Sequence, residues 1–254
     1  MSSLPHRLDR TIVIEASPDT VFRFFTDTRR WAGWWGAGST IDPRPGGPVL
    51  IRYPDGTEVI GHVVEVTAPE RLIFTYGFAS GAPIPPGSSV VTIWLEPDGT
   101  GTRLHLSHEL ADMGVRDEHV QGWRYQLALF ANVVSDDVNA GAATIVDGWF
   151  DAWAEPDPDA RARALAAIAD DCIGFRDRYG LTEGLADLLP HIAAAQRFMP
   201  GIRIRRRGDV RHCQGTVLAD WVIVTPDGQE RGRGMNVFLL NGSGRIASVT
   251  GFWG

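Results

Sequence analysis

The tripeptide Pro-Asp-Gly occurs three times, as Pro54-Asp55-Gly56, Pro97-Asp98-Gly99 and Pro226-Asp227-Gly228, each time between two short runs with strand character. Proline presets φ, aspartate bonds its own backbone, and glycine accepts positive φ, so each copy predicts a tight chain reversal. A reversal this short joins neighbouring antiparallel strands and leaves no room for a crossover helix. Each half of the chain is therefore expected to hold an antiparallel meander.

The residues around the meanders have a different period. Thr11 to Ala16 reads as a strand rich in β-branched residues. Ser17-Pro18-Asp19 then starts a helix, with Ser17 as N-cap, Pro18 at the first helical position, and Val21, Phe22 and Phe25 at helical spacing. Trp31, Trp34 and Trp35 crowd directly after it, and strands are expected over 49–53, 58–66, 72–78, 89–96 and 102–110. A long helix is predicted over 117–138, with Val120, Trp123, Leu127, Phe130 and Val134 on one stripe.

Asn139-Ala140-Gly141 breaks that helix. Beyond it, helices are expected from Ala143, over 160–169, and over 182–198 with a disturbance at Pro190. Strands are expected over 172–177, 202–207, 216–225, 232–240 and 245–252. The fold class is α+β with two domains, 1–140 and 141–254, and their sequences do not repeat one another.

The 254 residues are 44% apolar and 22% charged, enough for two cores. The net charge is -7, and all 24 basic residues are arginine. An acidic chain is poorly suited to nucleic acid, which needs cations that displace counterions. The absence of lysine excludes Schiff-base chemistry. Cys172 and Cys213 make no C-x-x-C pair or disulfide framework. No stretch is long and apolar enough for a membrane span, and the start lacks a leader-like apolar region, so a cytoplasmic protein with no membrane partner is expected.

The first half resembles the START-like (SRPBCC) superfamily, in the heat-shock-protein ATPase activator homologue branch. The resemblance covers roughly residues 8 to 138. It is carried by Ile14-Glu15-Ala16-Ser17-Pro18-Asp19-Thr20-Val21-Phe22, Phe25-Thr26-Asp27, Trp34-Trp35-Gly36 and Ala68-Pro69-Glu70-Arg71-Leu72. Gly101-Thr102-Arg103-Leu104, His108-Glu109-Leu110 and Gly122-Trp123 complete it. It implies a helix-grip fold, in which an antiparallel sheet wraps a long C-terminal helix and leaves an apolar ligand cavity. The activator role itself is not implied, because the eukaryotic members carry a further domain that has no counterpart here.

The second half, roughly residues 142 to 254, resembles the nuclear transport factor 2-like superfamily, which includes SnoaL-like polyketide cyclases and ketosteroid isomerases. Ala169-Asp170-Asp171-Cys172 leading to Asp177, then Gly180 and Gly184, and the ending Gly244-Arg245-Ile246 through Gly251-Phe252 carry it. It implies a curved sheet forming a cone around helices, with a pocket inside. Members often dimerise through the sheet, so a homodimer through the C-terminal sheet is a further expectation. The resemblance places Asp177 where ketosteroid isomerases carry their general base, and Trp149 and Asn236 where they carry oxyanion donors. Trp149 can offer only an indole N–H, and Asn236 can donate but not titrate, so that constellation is incomplete.

The residues leave the chemistry open. Asp177 is either a base in an apolar cone, where burial disfavours the charged form, or a solvated strand-end carboxylate beside Arg176 and Arg178. Asp220 alternates with Leu218, Val222 and Val224; with His212 it is either a proton-moving pair or an exposed carboxylate. His62 alternates with Ile60, Val64 and Val66, and His108 with Leu104 and Leu106, so each is either a cavity histidine or a core histidine satisfied by backbone. Trp34, Trp35 and Trp123 either line the first cavity or fill its core; Tyr76 is expected on the lining of the first cavity, and Trp149 and His212 on that of the second. His105 and His108 face opposite ways on a strand and make no metal site. No H-E-x-x-H, Walker A or dinucleotide-binding motif is present, so neither metal nor cofactor is expected. The arginines of 202–207 form either a solvated face or a seat for an anion.

Three functions fit these readings. The first is binding of a small hydrophobic or polyketide-like molecule. The second is a cofactor-free cyclase, dehydratase or isomerase using Asp177 or Asp220. The third is a chaperone-associated or dimerising interaction module.

Overall fold

The computed structural model describes residues 4–254; the leader reading falls in part on residues 1–3, outside them. The chain forms two compact units that divide between Ser135 and Asp136. No helix among the described residues is long and apolar enough to cross a membrane.

The first unit holds strands β1 (His6–Ile14), β2 (Thr40–Ile41), β3 (Pro48–Arg52), β4 (Glu58–Thr67), β5 (Arg71–Tyr76), β6 (Ser89–Asp98) and β7 (Gly101–Leu110). Its helices are α1 (Pro18–Thr26), α2 (Thr28–Trp35) and α3 (Met113–Val138), the last running past the division between the units. The seven strands make one sheet in the order β1-β7-β6-β5-β4-β3-β2, antiparallel at every step. The Pro54-Asp55-Gly56 turn closes the β3–β4 hairpin, with Arg52 opposite Glu58 and Gly56 at φ 88°.

Two capping residues decide how the chain enters this sheet. Ser17 accepts the Thr20 N–H and starts α1. Asp27 ends α1 and, by accepting the Arg30 N–H at 2.9 Å, starts α2. The three tryptophans therefore sit on a second helix rather than in a loop after the first, and all three are buried. Asp112 accepts the Val115 N–H, and α3 accordingly begins at Met113, ahead of the expected 117. Trp123, Leu127, Phe130 and Val134 face the core as predicted. Phe25, Trp31, Phe74 and Phe130 are among its fully buried rings; burying such a side chain contributes about 1.5–3 kcal/mol.

The second unit holds α4 (Ala142–Ala154), α5 (Pro158–Ile168), β8 (Ala169–Arg176), β9 (Leu181–Glu183), α6 (Leu185–Phe198), β10 (Arg203–Cys213), β11 (Thr216–Val224), β12 (Glu230–Leu240) and β13 (Ile246–Trp253). Its sheet runs β10-β11-β12-β13-β8-β9 and is antiparallel except between β13 and β8. Asp157 caps α5 by accepting the Ala160 N–H at 2.6 Å, with Pro158 behind it. The segment expected to open the next helix at Thr182 instead pairs with β8 as β9, and α6 starts after Gly184, at φ 82°. Pro190 does not break α6: the carbonyl it leaves without a partner, at Ala186, lies at an exposed position. β10 runs on to Cys213 through a bulge between Arg207 and Arg211. Trp149 and Phe150 of α4 pack with Phe175, Trp221, Phe238 and Val249 of the sheet to form the core.

Candidate functional site

Each unit contains an aromatic cavity, and the two differ in size and in what their polar groups do.

In the first unit a cavity of about 390 Å³ lies between α3 and the sheet. Trp35 comes from α2, Tyr53 from the end of the β3 hairpin arm, Tyr76 from β5, and Trp123 and Gln126 from the inward stripe of α3. Phe78 and His119 add further wall, while Asp55, Glu118 and Tyr125 are exposed at the rim. The Trp35 ring stands edge-on to Tyr53 and to Trp123, with centroids 5.8 and 5.7 Å away.

His108 lies behind this wall, fully buried, and its tautomer follows from its partners. The Trp123 indole can only donate, so His108 Nδ1, 3.0 Å away, is the acceptor. Nε2 then carries the proton and donates to Ser89 Oγ at 2.9 Å, and that hydroxyl donates to the Tyr76 carbonyl at 2.8 Å. Burial, aided by His119, pushes the His108 pKa down to about 3, so the ring is neutral at physiological pH. This chain ties the Trp123 indole on α3 to the Tyr76 backbone on β5 through His108 and Ser89.

Two phenol hydroxyls on the wall share a single hydrogen bond. Tyr53 and Tyr76 face each other, hydroxyl to hydroxyl, at 3.2 Å. One hydroxyl donates to the other, and the second hydrogen has no acceptor among the described residues. Burial raises the pKa of both phenols, most strongly that of Tyr76. The buried Trp35 Nε1 also lacks an acceptor among the described residues.

Several sequence-predicted residues lie elsewhere. Trp34 is core: its indole donates to the Phe24 carbonyl at 3.2 Å and its ring packs 4.8 Å from Phe130. His62 is on the solvent face of β4, its Nδ1 3.0 Å from Thr75 Oγ1. Both parities of that strand are apolar, and the buried set is Val59 and Val63, leaving Ile60 and Val64 exposed with His62. Tyr53, His119 and Gln126 were not singled out by sequence. Tyr53 had one usable signal, an aromatic directly before a Pro-Asp-Gly turn.

In the second unit, Asp177, Asn236 and Trp149 do converge on one cavity, but its volume is only about 30 Å³. Asn236 is opposite Gly251 in the β12–β13 register, and Thr250 is opposite Arg176, which puts Asp177 beside Gly251. A Cβ at Gly251 would sit 3.1 Å from Asp177 Cβ and 3.2 Å from Asn236 Oδ1. Indoles occupy the rest of the space. Trp221 donates to Asn236 Oδ1 at 2.9 Å, and Trp253 donates to Asp177 Oδ2 at 3.1 Å. The other Asp177 oxygen accepts the Tyr179 N–H at 2.7 Å. Trp221 and Trp253 meet at 5.0 Å over Gly234, where any side chain would run into the Trp221 ring.

Asp220 and His212 do not join this group. Asp220 lies on the outer face of β11, 3.5 Å from Arg211. The inward set on β11 is Val217, Ala219, Trp221 and Ile223, the parity opposite to Asp220. His212 accepts the Gly215 N–H through Nε2 and meets Asp136 through Nδ1 at 3.1 Å, bracing the turn after β10. The arginine run divides between the faces. Arg206 points in and forks onto both oxygens of Asp147 on α4, at 2.8 and 2.9 Å. Arg203, Arg205 and Arg207 are exposed, and register places Arg205 in a row with Val222 and Arg233 on the outer face.

The family described as "Activator of Hsp90 ATPase homolog 1-like protein" matches residues 15–135. No curated protein matches the chain. Similar solved structures include a SnoaL-like family protein from Agrobacterium tumefaciens, 28% identical over 44% of this chain and 95% of that one, at a TM-score of 0.42. CalU16 from Micromonospora echinospora is 24% identical over 52% of this chain and 77% of that one, at a TM-score of 0.43. The Aha1 dimer of Colwellia psychrerythraea, studied in solution, is 15% identical over 48% of this chain and 90% of that one, at a TM-score of 0.42. Residues 15–135 thus match the activator of Hsp90 ATPase homologue family, in a unit with a helix-grip fold, and the unit that follows has the curved-sheet, cone-shaped architecture that the SnoaL-like resemblance implies.

Proposed function

We propose that the protein binds a small hydrophobic molecule in the cavity of its first unit, beneath α3. The observation that carries this reading is the cavity itself: about 390 Å³, walled by Trp35, Tyr53, Tyr76, Phe78 and Trp123. Concave, mostly aromatic sites with a few convergent polar groups are where proteins take small apolar ligands. Native mass spectrometry and thermal shift across a panel of lipophilic metabolites test it. A ligand at 100 times its Kd stabilises its host by about 2.7 kcal/mol. A panel in which no compound shifts the melting of the wild-type chain contradicts the proposal.

A second reading, an isomerase-like proton transfer at Asp177, has one specific observation in its favour: Asp177, Asn236 and Trp149 share a cavity. That cavity has room for about one water, and both Asp177 oxygens already accept N–H donors. Turnover would therefore require Trp253 and Trp221 to swing aside. An activity lost in Asp177→Asn supports this reading; turnover unchanged by that substitution removes it.

A homodimer through the outer face of the second sheet, where Arg203, Arg205, Arg207 and Arg233 lie together with Asp220, is tested by light scattering of the wild type and of Arg205→Glu: a doubled mass that the substitution halves supports it, and a monomeric wild type removes it.

A further inference from the structure

We infer that the outer face of the second sheet seats an acidic peptide segment of a partner protein, one with carboxylates on either side of an aromatic side chain. This role is separate from the cavity of the first unit.

Strand parity builds the face. In β10, Ile204 packs on the core and Arg206 turns in to Asp147, so Arg203, Arg205 and Arg207 point outward, about 6.7 Å apart along the strand. Register sets Arg205 opposite Val222 on β11, and Val222 opposite Arg233 on β12. Val222 lies on this outer face yet is only 3% exposed, as expected where arginine stems lie across an apolar neighbour. The adjoining row reads Arg207, Asp220, Met235 and Phe252. Arg207, Asp220, Arg233, Met235 and the half-exposed Phe252 line one concavity of about 550 Å³. Arginine, methionine and aromatic residues are the types enriched where proteins meet partners.

The charge on this face is unmatched within the chain. In the first unit, Arg7, Arg44, Arg52, Arg71 and Arg103 each have a carboxylate at 2.5–2.7 Å. Arg203, Arg205, Arg207 and Arg233 form no ion pair among the described residues. Strands β10, β11 and β12 together hold seven arginines against three carboxylates, in a chain whose net charge is -7. Of those carboxylates, Asp220 lies 3.5 Å from Arg211, Asp209 sits in the bulge of β10, and Glu230 stands at the first residue of β12. Guanidinium forks match carboxylates with two parallel hydrogen bonds, so a carboxylate is the complement of this face.

The net charge also limits the size of the occupant. A bilayer or a nucleic-acid duplex presents negative charge to the whole protein, and the acidic remainder repels it. A short segment meets mainly the arginines, because other charges are screened beyond a Debye length of about 8 Å. Met235 and Phe252, beside Arg207 and Arg233, give the segment's aromatic side chain an apolar contact.

The test follows the fluorescence anisotropy of a labelled peptide, Ser-Glu-Glu-Phe-Glu-Glu-Ser, titrated with the full chain at low salt. Its counterpart with Gln in place of Glu is expected to bind about tenfold more weakly, the sum of several exposed ion pairs. Arg205→Gln/Arg233→Gln should weaken the acidic peptide by a similar factor, and Phe252→Ser by less. Arg163→Gln, at an exposed position on α5, should leave affinity unchanged. The reversal Arg205→Glu/Arg233→Glu should lose the acidic peptide and gain Ser-Arg-Arg-Phe-Arg-Arg-Ser, a gain that damage to the fold cannot produce. Equal binding of the Glu and Gln peptides, binding of neither, or a reversal that gains nothing overturns the inference. So does tighter binding of anionic lipid vesicles or of a single-stranded oligonucleotide than of the acidic peptide, or a wild-type dimer through this face that the peptide fails to dissociate. The cavity of the first unit and its proposed ligand are untouched by any of these results.

Discussion

Tryptophan dominates both cavities, yet one is open and the other is filled. In the first unit, the Trp123 indole donates outward to His108, so the ring lies against the wall and the space in front of it, about 390 Å³, remains free. In the second, Trp221 and Trp253 donate inward to Asn236 and Asp177, the very groups a substrate would need, and about 30 Å³ is left. The same side chain builds a pocket or plugs one depending on where its single N–H finds an acceptor. A polar residue inside a cone is therefore evidence for chemistry only when the protein has not already satisfied it.

The largest expected effect comes from removing a plug. Trp221→Ala should destabilise the second unit by about 3–5 kcal/mol, as large-to-small changes at buried aromatics do. If the indole is what closes this cavity, the variant should also gain binding of small aromatic molecules there. A variant equally destabilised but still unable to bind shows that Trp221 is not the plug.

Acid should distinguish the units next. His108 is neutral in the folded protein, with a pKa of about 3, whereas an unfolded histidine titrates near about 6.5. Between those values the unfolded state holds the extra proton, so the stabilisation is complete above about 6.5 and is lost as pH falls, at up to about 1.4 kcal/mol per pH unit. Denaturant melts of wild type and His108→Gln at pH 7 and pH 5 should converge as pH falls. Parallel curves would mean that His108 does not titrate on unfolding.

A smaller effect is expected at Gly122 on α3, which lines the open cavity and where a Cβ would meet nothing within 4 Å. Gly122→Leu should stabilise the helix by up to about 1 kcal/mol while filling the cavity and abolishing ligand binding. Retained affinity in this variant would place the ligand elsewhere. The smallest effect is expected for Asp177→Asn. The amide oxygen still accepts a hydrogen bond, so about 1 kcal/mol or less should be lost from the second unit, with binding in the first unchanged.

Sequence made the strand and helix pattern legible where local chemistry decides it. The Pro-Asp-Gly turns, the Ser17 and Asp157 caps and the α3 stripe all appear where residue types require them. It failed at positions where parity was ambiguous. In β4 and β11 both faces carry apolar residues, and only the tertiary packing selects Val59 and Val63, or Ala219 and Trp221, as the inner set; His62 was thereby misjudged as inward, while Asp220 is the exposed carboxylate of its two readings. Asp177, Asn236 and Trp149 do share a cavity, but its closure was not legible, because it depends on Trp221 and Trp253, which are far from Asp177 in sequence. Tyr53 was missed in the first cavity because it meets Tyr76 only through the folded sheet.

The contrast between an open and a plugged cavity is tested most directly by the indole N–H resonances of the nine tryptophans. Titrating a lipophilic aromatic compound that raises the melting temperature of the 254-residue chain should shift the signals of Trp35 and Trp123 and leave those of Trp149, Trp221 and Trp253 in place. Shifts confined to Trp149, Trp221 and Trp253 would contradict the account, since they would place the ligand in the cavity that the indoles are held to fill.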